Sequence, residues 1–180
     1  ESCAEAILVG SRAHWQAIRE AGLIFECGLP PGTRVPLAAI SPHEVPPLEA
    51  GDLVVLAGKL TGLAETADWL RKRLGREAHL LALQNGLGLD DLVQAAFGRS
   101  AERGLVYFGA HLAAPGRVRY FPGRIRFRAG PAAAHLIEWL GGAAAGEIVG
   151  DVKAAEGEKL AVNCLANPLS AILATRNDAR

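Results

Sequence analysis

Asp52-Leu-Val-Val-Leu-Ala-Gly-Lys59 is the stretch that decides the fold. Its apolar run predicts a buried strand that closes on Gly58-Lys59. A helix is predicted over about 63–74, a second apolar strand over 79–83, and another helix over about 89–96. Buried strands that alternate with helices are typical of βαβ units, so the sequence predicts an α/β fold with a mostly parallel sheet.

The flanking sequence adds elements on both sides of this unit. The other predicted elements are a buried strand (6–9), a helix (14–21) that stops at Gly22, short strands (23–35), a Pro-rich loop (41–47), an antiparallel ribbon appended to the sheet (105–108, 117–121 and 124–128), a helix (132–140) and a strand (147–149). The arginines of the ribbon alternate with apolar residues, which indicates a solvated strand face rather than a binding patch.

Composition narrows the classes of protein. The chain has 180 residues, half of them hydrophobic, and its charges balance to zero. One soluble α/β domain, or one domain and a fragment of a second, is therefore expected, with no nucleic-acid partner. No apolar run is long enough to predict a membrane span, and no stretch of the given sequence has the charged start and apolar core that would predict a signal peptide. The three cysteines lie far apart, which favours reduced thiols in a cytoplasmic protein, and the scattered histidines predict no metal site.

The sequence contains no methionine. We therefore expect that the first residue is not a translation start, because either the start was processed away or the chain is a piece of a longer protein. The expectation is a chain that is truncated at both ends.

Near the end of the chain, polar residues recur in the apolar run Glu158-Lys-Leu-Ala-Val-Asn-Cys-Leu-Ala-Asn-Pro-Leu-Ser-Ala-Ile172. Lys159, Asn163, Asn167 and Ser170 are spaced by four, four and three residues, which places them on one stripe of a helix. Pro168 should kink that helix. Two interpretations are open. The stripe lines a polar cleft, with the flanking leucines and valine packed on the rest of the helix, or it faces water on an amphipathic helix.

Polar residues also follow three of the predicted strands. Arg12, Lys59 and Asn85 all stand at carboxyl ends of predicted strands, which places them on the same edge of a parallel sheet, where ligands bind. Each has an ordinary alternative: an isolated arginine or lysine is commonly a solvent-exposed residue, and Asn-Gly is a common turn dipeptide.

Taken in order, these segments resemble the ketopantoate reductase (2-dehydropantoate 2-reductase) family. The matching segments are Val9-Gly-Ser-Arg-Ala-His-Trp-Gln-Ala-Ile-Arg-Glu-Ala-Gly-Leu23, Val54-Val-Leu-Ala-Gly-Lys59, Leu83-Gln-Asn-Gly-Leu-Gly88, Tyr107-Phe-Gly-Ala110 and Glu158-Lys-Leu-Ala-Val-Asn-Cys-Leu-Ala-Asn-Pro-Leu-Ser170. The last segment is the most specific.

The resemblance implies an NADPH-dependent reduction of 2-dehydropantoate to pantoate, on the route to pantothenate and coenzyme A. It implies that Lys159 is the catalytic proton donor, and that Asn163, Asn167 and, secondarily, Ser170 face the substrate. It places Asn85 near the nicotinamide and the reacting carbonyl.

The same resemblance assigns the cofactor-binding residues. Lys59 would reach the cofactor or the substrate. Arg12, assisted by Ser11, would meet the adenosine 2′-phosphate and so select NADPH over NADH.

The family plan also implies domain bounds. Residues 1–152 would form a partial, Rossmann-like NADP-binding domain, and residues 153–180 would begin a helical domain for substrate binding and dimerisation, which leaves a homodimer open. The expected strand, G-x-G-x-x-G and helix are not in this sequence, so the first βα unit is expected to be missing. Two other hypotheses are therefore kept: a related reductase of another 2-oxo acid, and a truncated module without catalysis.

Overall fold

The computed structural model describes residues 5–26, 32–121, 123, 125–128, 133–134, 136–137 and 146–173. The strands are β1 (Ile7–Val9), β2 (Leu23–Glu26), β3 (Arg34–Val35), β4 (Ala38–Ile40), β5 (Leu53–Leu56), β6 (His79–Ala82), β7 (Glu102–Val106), β8 (Gly109–Ala114), β9 (Arg117–Phe121), β10 (Ile125–Arg128) and β11 (Gly146–Val149). The helices are α1 (Arg12–Ala21), α2 (Leu63–Leu70), α3 (Leu89–Phe97) and α4 (Val152–Ile172), with short 3-10 turns at Pro42–Glu44 and Leu60–Gly62.

The central sheet has five strands in the order β11-β10-β7-β6-β5. Strands β5, β6 and β7 run parallel, whereas β10 is antiparallel to β7. Helices α2 and α3 pack on one face and bury a cluster that includes Leu63, Leu70, Val93 and Phe97. Because β6 is covered on both faces, its sequence is a continuous apolar run rather than an alternating one. The predicted α/β class and parallel βαβ unit are confirmed, although α2 ends at Leu70, four residues earlier than predicted.

The predicted single ribbon is wrong in its arrangement. Strand β7 belongs to the parallel sheet, with β10 antiparallel beside it. Strands β8 and β9 form a hairpin in a second sheet, in the order β3-β2-β9-β8. The sequence could not show this division, because β9 pairs in parallel with β2, which lies about 90 residues earlier. Arg117 and Arg119 of β9 are half-exposed and pair with Glu26, which agrees with a solvated face.

Strand β4 was not predicted. It pairs in parallel with β1, from Ile7 opposite Ala38 to Val9 opposite Ile40. Its short run Leu37-Ala-Ala-Ile40 lies between Pro36 and Pro42, and the sequence analysis assigned no element to it. The predicted stop of α1 is confirmed, since Gly22 has a φ of 73° and its N–H donates to the Ile18 carbonyl.

Helix α4 follows β11 and contacts the central sheet only near its start. The Asp151 carboxylate accepts from Ala154 N at 3.0 Å and caps the helix. Val152 and Ala155 pack with Leu105 of β7. The helix continues through Pro168 to Ile172. The predicted boundary between residues 152 and 153 falls in its first turn and stays a prediction.

The second half of α4 departs from the prediction. Its apolar residues were expected to pack, but they are exposed, because none of the described elements covers this half: Leu160, Val162, Leu165 and Leu169. Among the described helices, none is long and apolar enough to cross a membrane.

Candidate active site

The turn after β6 carries Asn85 at the carboxyl edge of the parallel sheet. The next residue, Gly86, has a φ of 136°, a conformation that L side chains rarely adopt. A Cβ at Gly86 would stand 3.0 Å from Leu60 Cδ1. Because Leu60 directly follows Lys59, the turns after β5 and β6 lie side by side, as the sequence predicted.

Helix α4 brings Lys159 to this turn. Its Nζ donates to Asn85 Oδ1 at 2.6 Å, across 74 residues of sequence. The same Nζ lies 5.4 Å from the centroid of the Tyr107 ring, within the range of a cation–π contact. The side chain is half-buried. The first interpretation of the polar stripe, a cleft lining, is therefore the one that the structure supports at Lys159.

A small cavity lies beside this pair. Its volume is about 30 Å³, roughly the space of one water molecule. The lining residues are Asn85, Gly86, Leu87, Arg103, Leu105, Glu156, Lys159, Leu160 and Asn163. The described residues therefore enclose room for one small polar group, such as a carbonyl oxygen, rather than for a whole organic acid.

Two charged residues at the cavity, Arg103 and Glu156, were missed by the sequence analysis. Arg103 Nε lies 2.6 Å from Glu156 Oε1. Burial lowers the pKa of Lys159, the positive charge of Arg103 lowers it further, and Glu156 acts in the opposite direction. Glu156 precedes Lys159 by three residues, so helical spacing alone could have added it to the stripe.

The remaining predicted site residues do not all line this cavity. Asn163 lines the same cavity. Lys59 is exposed and does not line it. The side chains of Asn167 and Ser170 lie outside the described part of the structure.

Ser11 and Arg12 begin helix α1, directly beyond the carboxyl end of β1. Both are exposed. The Ser11 carbonyl accepts from the amides of His14 and Trp15, while its side chain makes no capping hydrogen bond. Strand β1 pairs with β4 and is not hydrogen-bonded to β5 in the described structure. The three strand ends predicted to share one edge are therefore divided between two sheets.

Gln84, next to Asn85, is one of two buried polar residues in the described part of the chain; the other is Arg103. Its Oε1 has no hydrogen-bond partner among the described residues. An unpaired buried acceptor costs about 1–3 kcal/mol, so this oxygen is suited to a donor from a bound molecule.

A larger, open depression of about 520 Å³ lies elsewhere, beside α1 and β4. Arg19, its only lining cation, is already bonded to Glu44 and to the Ala39 carbonyl. None of the predicted site residues lines this depression.

Comparison with known proteins identifies the family. Residues 2–132 match the model of the family described as ketopantoate reductase PanE/ApbA. The chain belongs to this family. Lys159 lies beyond the matched range, so its place in the site rests on the geometry above. No curated protein matches the chain.

Solved structures share the fold. A PanE/ApbA family ketopantoate reductase from Ralstonia eutropha JMP134 is 30% identical with a TM-score of 0.79; the match covers 94% of this chain and 56% of that one. A ternary structure of D-mandelate dehydrogenase with NADH and anilino(oxo)acetate is 24% identical with a TM-score of 0.79, covering 94% and 57%. A dimeric ketopantoate reductase from Staphylococcus aureus is 13% identical with a TM-score of 0.71, covering 96% and 70%. The predicted Rossmann-like class is confirmed, and the chain spans somewhat over half the length of the first two relatives.

Proposed function

We propose that this chain is the cofactor-binding and proton-donating part of an NADPH-dependent 2-oxo acid reductase whose substrate is 2-dehydropantoate. The product is pantoate, a precursor of pantothenate and coenzyme A. The observation that carries the proposal is the Lys159 ammonium held 2.6 Å from Asn85 Oδ1 at a polar cavity.

Lys159 would act on the carbonyl oxygen of the substrate. As the carbonyl carbon is reduced, negative charge develops on that oxygen, and a nearby ammonium both stabilises the charge and donates the proton. A lowered pKa suits this role, since burial and Arg103 make the ammonium a stronger acid than an exposed lysine.

The chain carries residues that would fit the two ends of a dinucleotide cofactor, whereas the G-x-G-x-x-G motif for its pyrophosphate is not in this sequence. Bound NADPH would supply the hydride. The carboxamide NH₂ of its nicotinamide is a donor of the kind that Gln84 Oε1 lacks. Arg12 and Ser11, both exposed at the start of α1, would hold the 2′-phosphate, because a helix N-terminus favours anions and an arginine binds phosphate with two N–H groups.

Neutral amides would orient the substrate. Asn85 and Asn163 both line the cavity, and each can donate to a carboxylate or accept from a hydroxyl group. Asn167 and Ser170 would extend this surface along α4, and Lys59 would reach the cofactor or the substrate. The protein would act in the cytoplasm, with a homodimer as its assembly.

A related reductase of another 2-oxo acid is the second candidate. The D-mandelate dehydrogenase of the same fold, seen in a ternary structure with NADH and anilino(oxo)acetate, is named for a different 2-hydroxy acid. The cavity of about 30 Å³ has room for the reacting carbonyl group, which all 2-oxo acids share.

The test is NADPH oxidation by the chain, and by the protein extended to its natural ends, with 2-dehydropantoate, 2-ketoisovalerate and pyruvate compared. Turnover that strongly favours 2-dehydropantoate is expected. Preference for another of these acids would move the protein to the second candidate. Cofactor binding by the extended protein without turnover of 2-dehydropantoate would also favour the second candidate. Turnover by the extended protein alone, with no firm cofactor binding by the chain, would favour a truncated module without catalysis.

A further inference from the structure

Arg103 is unusually deep for a charged residue. Its side chain is 2% exposed, and that of its partner Glu156 is 18% exposed. Its Nη1 donates to the carbonyls of Ala82, at 3.1 Å, and Gly104, at 3.0 Å. One guanidinium therefore joins strand β6, strand β7 and helix α4.

The Arg103–Glu156 contact holds α4 about one helical turn before Lys159, the proposed proton donor. Glu156 and Lys159 are three residues apart on α4, so their side chains lie on the same face. Ala155 lies one turn before Lys159 on α4, and its carbonyl accepts from the Tyr107 hydroxyl at 3.3 Å. The segment of α4 that presents Lys159 to Asn85 is thus fixed by an ion pair and a hydrogen bond from β7 and the residue just beyond it.

A buried ion pair is weak evidence for stability, because the cost of removing two charges from water can exceed their attraction. An apolar pair of similar volume could attach α4 as well. An apolar pair, however, would place no charge beside the Lys159 ammonium.

We propose that Arg103 and Glu156 form a positioning pair that fixes the α4 turn carrying Lys159 and sets the electrostatic field at its ammonium. This role rests on the proposed use of Lys159 as proton donor. Among the described residues, the groups that face Lys159 are Arg103 and Tyr107 from β7 and its extension, Glu156 from its own helix, and neutral Asn85 from the turn after β6.

The test is a direct titration of Lys159 by NMR, with ¹³C- and ¹⁵N-labelled lysine. The chain has only four lysines, Lys59, Lys72, Lys153 and Lys159, so the Lys159 signal is identified as the one lost in Lys159→Arg. Glu156→Gln keeps an oxygen acceptor for Arg103 and removes the negative charge, so the pKa of Lys159 should fall. Arg103→Gln removes the positive charge, so the pKa of Lys159 should rise.

Shifts of the Lys159 pKa in opposite directions in the two variants support the proposed role. If the pair were only structural, the two substitutions would shift this pKa in the same direction or not at all. Glu158→Gln, an exposed position on the same helix, is the matched control and should leave the titration unchanged. If Arg103→Gln does not fold, as judged by circular dichroism, Glu156→Gln decides alone, and a pKa of Lys159 that is unchanged or raised overturns the proposal. Any combination other than opposite shifts also overturns it.

The titration requires no turnover, so it separates this proposal from the proposed function. An inactive extended protein with the expected shifts would refute the reductase and leave only the electrostatic action of Arg103 and Glu156 on Lys159. An active protein without the shifts would support the reductase and overturn the proposed role of Arg103 and Glu156.

Discussion

The Lys159 ammonium and the Asn85 side-chain oxygen meet at 2.6 Å, and this contact joins helix α4 to the carboxyl edge of the parallel sheet. The two residues come from separate segments that sequence analysis had assigned to the same site. Their contact gives a charged donor a neutral acceptor, so no carboxylate neutralises the ammonium at this position.

Asn85→Asp should extend activity to higher pH. A carboxylate beside Nζ favours the ammonium and raises the pKa of Lys159. The donor must be protonated, so kcat falls as the pH passes above that pKa, and the basic limb should move to higher pH. Asn85→Ala, which only removes the acceptor, should move the limb to lower pH. Profiles of kcat against pH measure both, and a limb that moves downward in Asn85→Asp would contradict the assignment.

Gly86→Ala should destabilise the protein and weaken the site. The φ of 136° strains an L residue, and the added Cβ would meet Leu60 Cδ1 at 3.0 Å. We expect a loss of about 1–3 kcal/mol in the free energy of unfolding. Gly58→Ala is the control, since a Cβ there meets nothing within 4 Å. Urea unfolding of the two variants gives the comparison, and equal stabilities would show that the turn tolerates a side chain.

Arg12→Ala should weaken NADPH binding and leave NADH binding almost unchanged, because only NADPH carries the 2′-phosphate. Dissociation constants from fluorescence titration measure the effect. Arg71→Ala, at another exposed arginine, is the control. A similar loss for both cofactors would remove Arg12 from the phosphate site.

Glu44 should give the protein an acid-sensitive contact far from the site. Its pKa is lowered from 4.5 to about 2, chiefly by the Ser41 backbone N–H, then by the Ser41 side chain and Arg19. Because the folded-state pKa is depressed, the stabilisation is present above pH 4.5 and is lost as the pH falls toward about 2.

The check is the difference in melting temperature between wild type and Glu44→Gln. That difference should shrink between pH 4.5 and about 2. Glu20→Gln, on the same helix as Arg19, provides the comparison. A difference that stays constant over this range would show that Glu44 does not carry the effect.

Local sequence predicted the parts of the fold that depend on local pattern. The continuous apolar runs of β5 and β6 and the spacing of Lys159 and Asn163 were sufficient to indicate a parallel sheet and a polar helix face. Strand β4 was missed because three residues between prolines carry too little pattern. The division of the ribbon depended on pairing between β2 and β9, which no local pattern encodes.

Part of the candidate site was also predicted from the sequence. Asn85 and Lys159 were assigned through the resemblance, and the structure brings them together. Arg103 was missed because a lone arginine in a strand gives no sign that it is buried. Its burial is compensated by Glu156 of α4 and by the carbonyls of Ala82 and Gly104, and the approach of α4 is not encoded locally. The roles of Asn167 and Ser170 stay predictions.

The most direct measurement compares Lys159→Ala with Lys153→Ala, an exposed lysine on the same helix, in kcat and in NADPH affinity. Loss of a proton donor should lower kcat for 2-dehydropantoate by roughly 10²–10⁴-fold and leave the dissociation constant of NADPH nearly unchanged, while Lys153→Ala changes neither. A Lys159→Ala variant that keeps its kcat, or that loses kcat and NADPH affinity equally, would contradict the assignment of Lys159 as the proton donor.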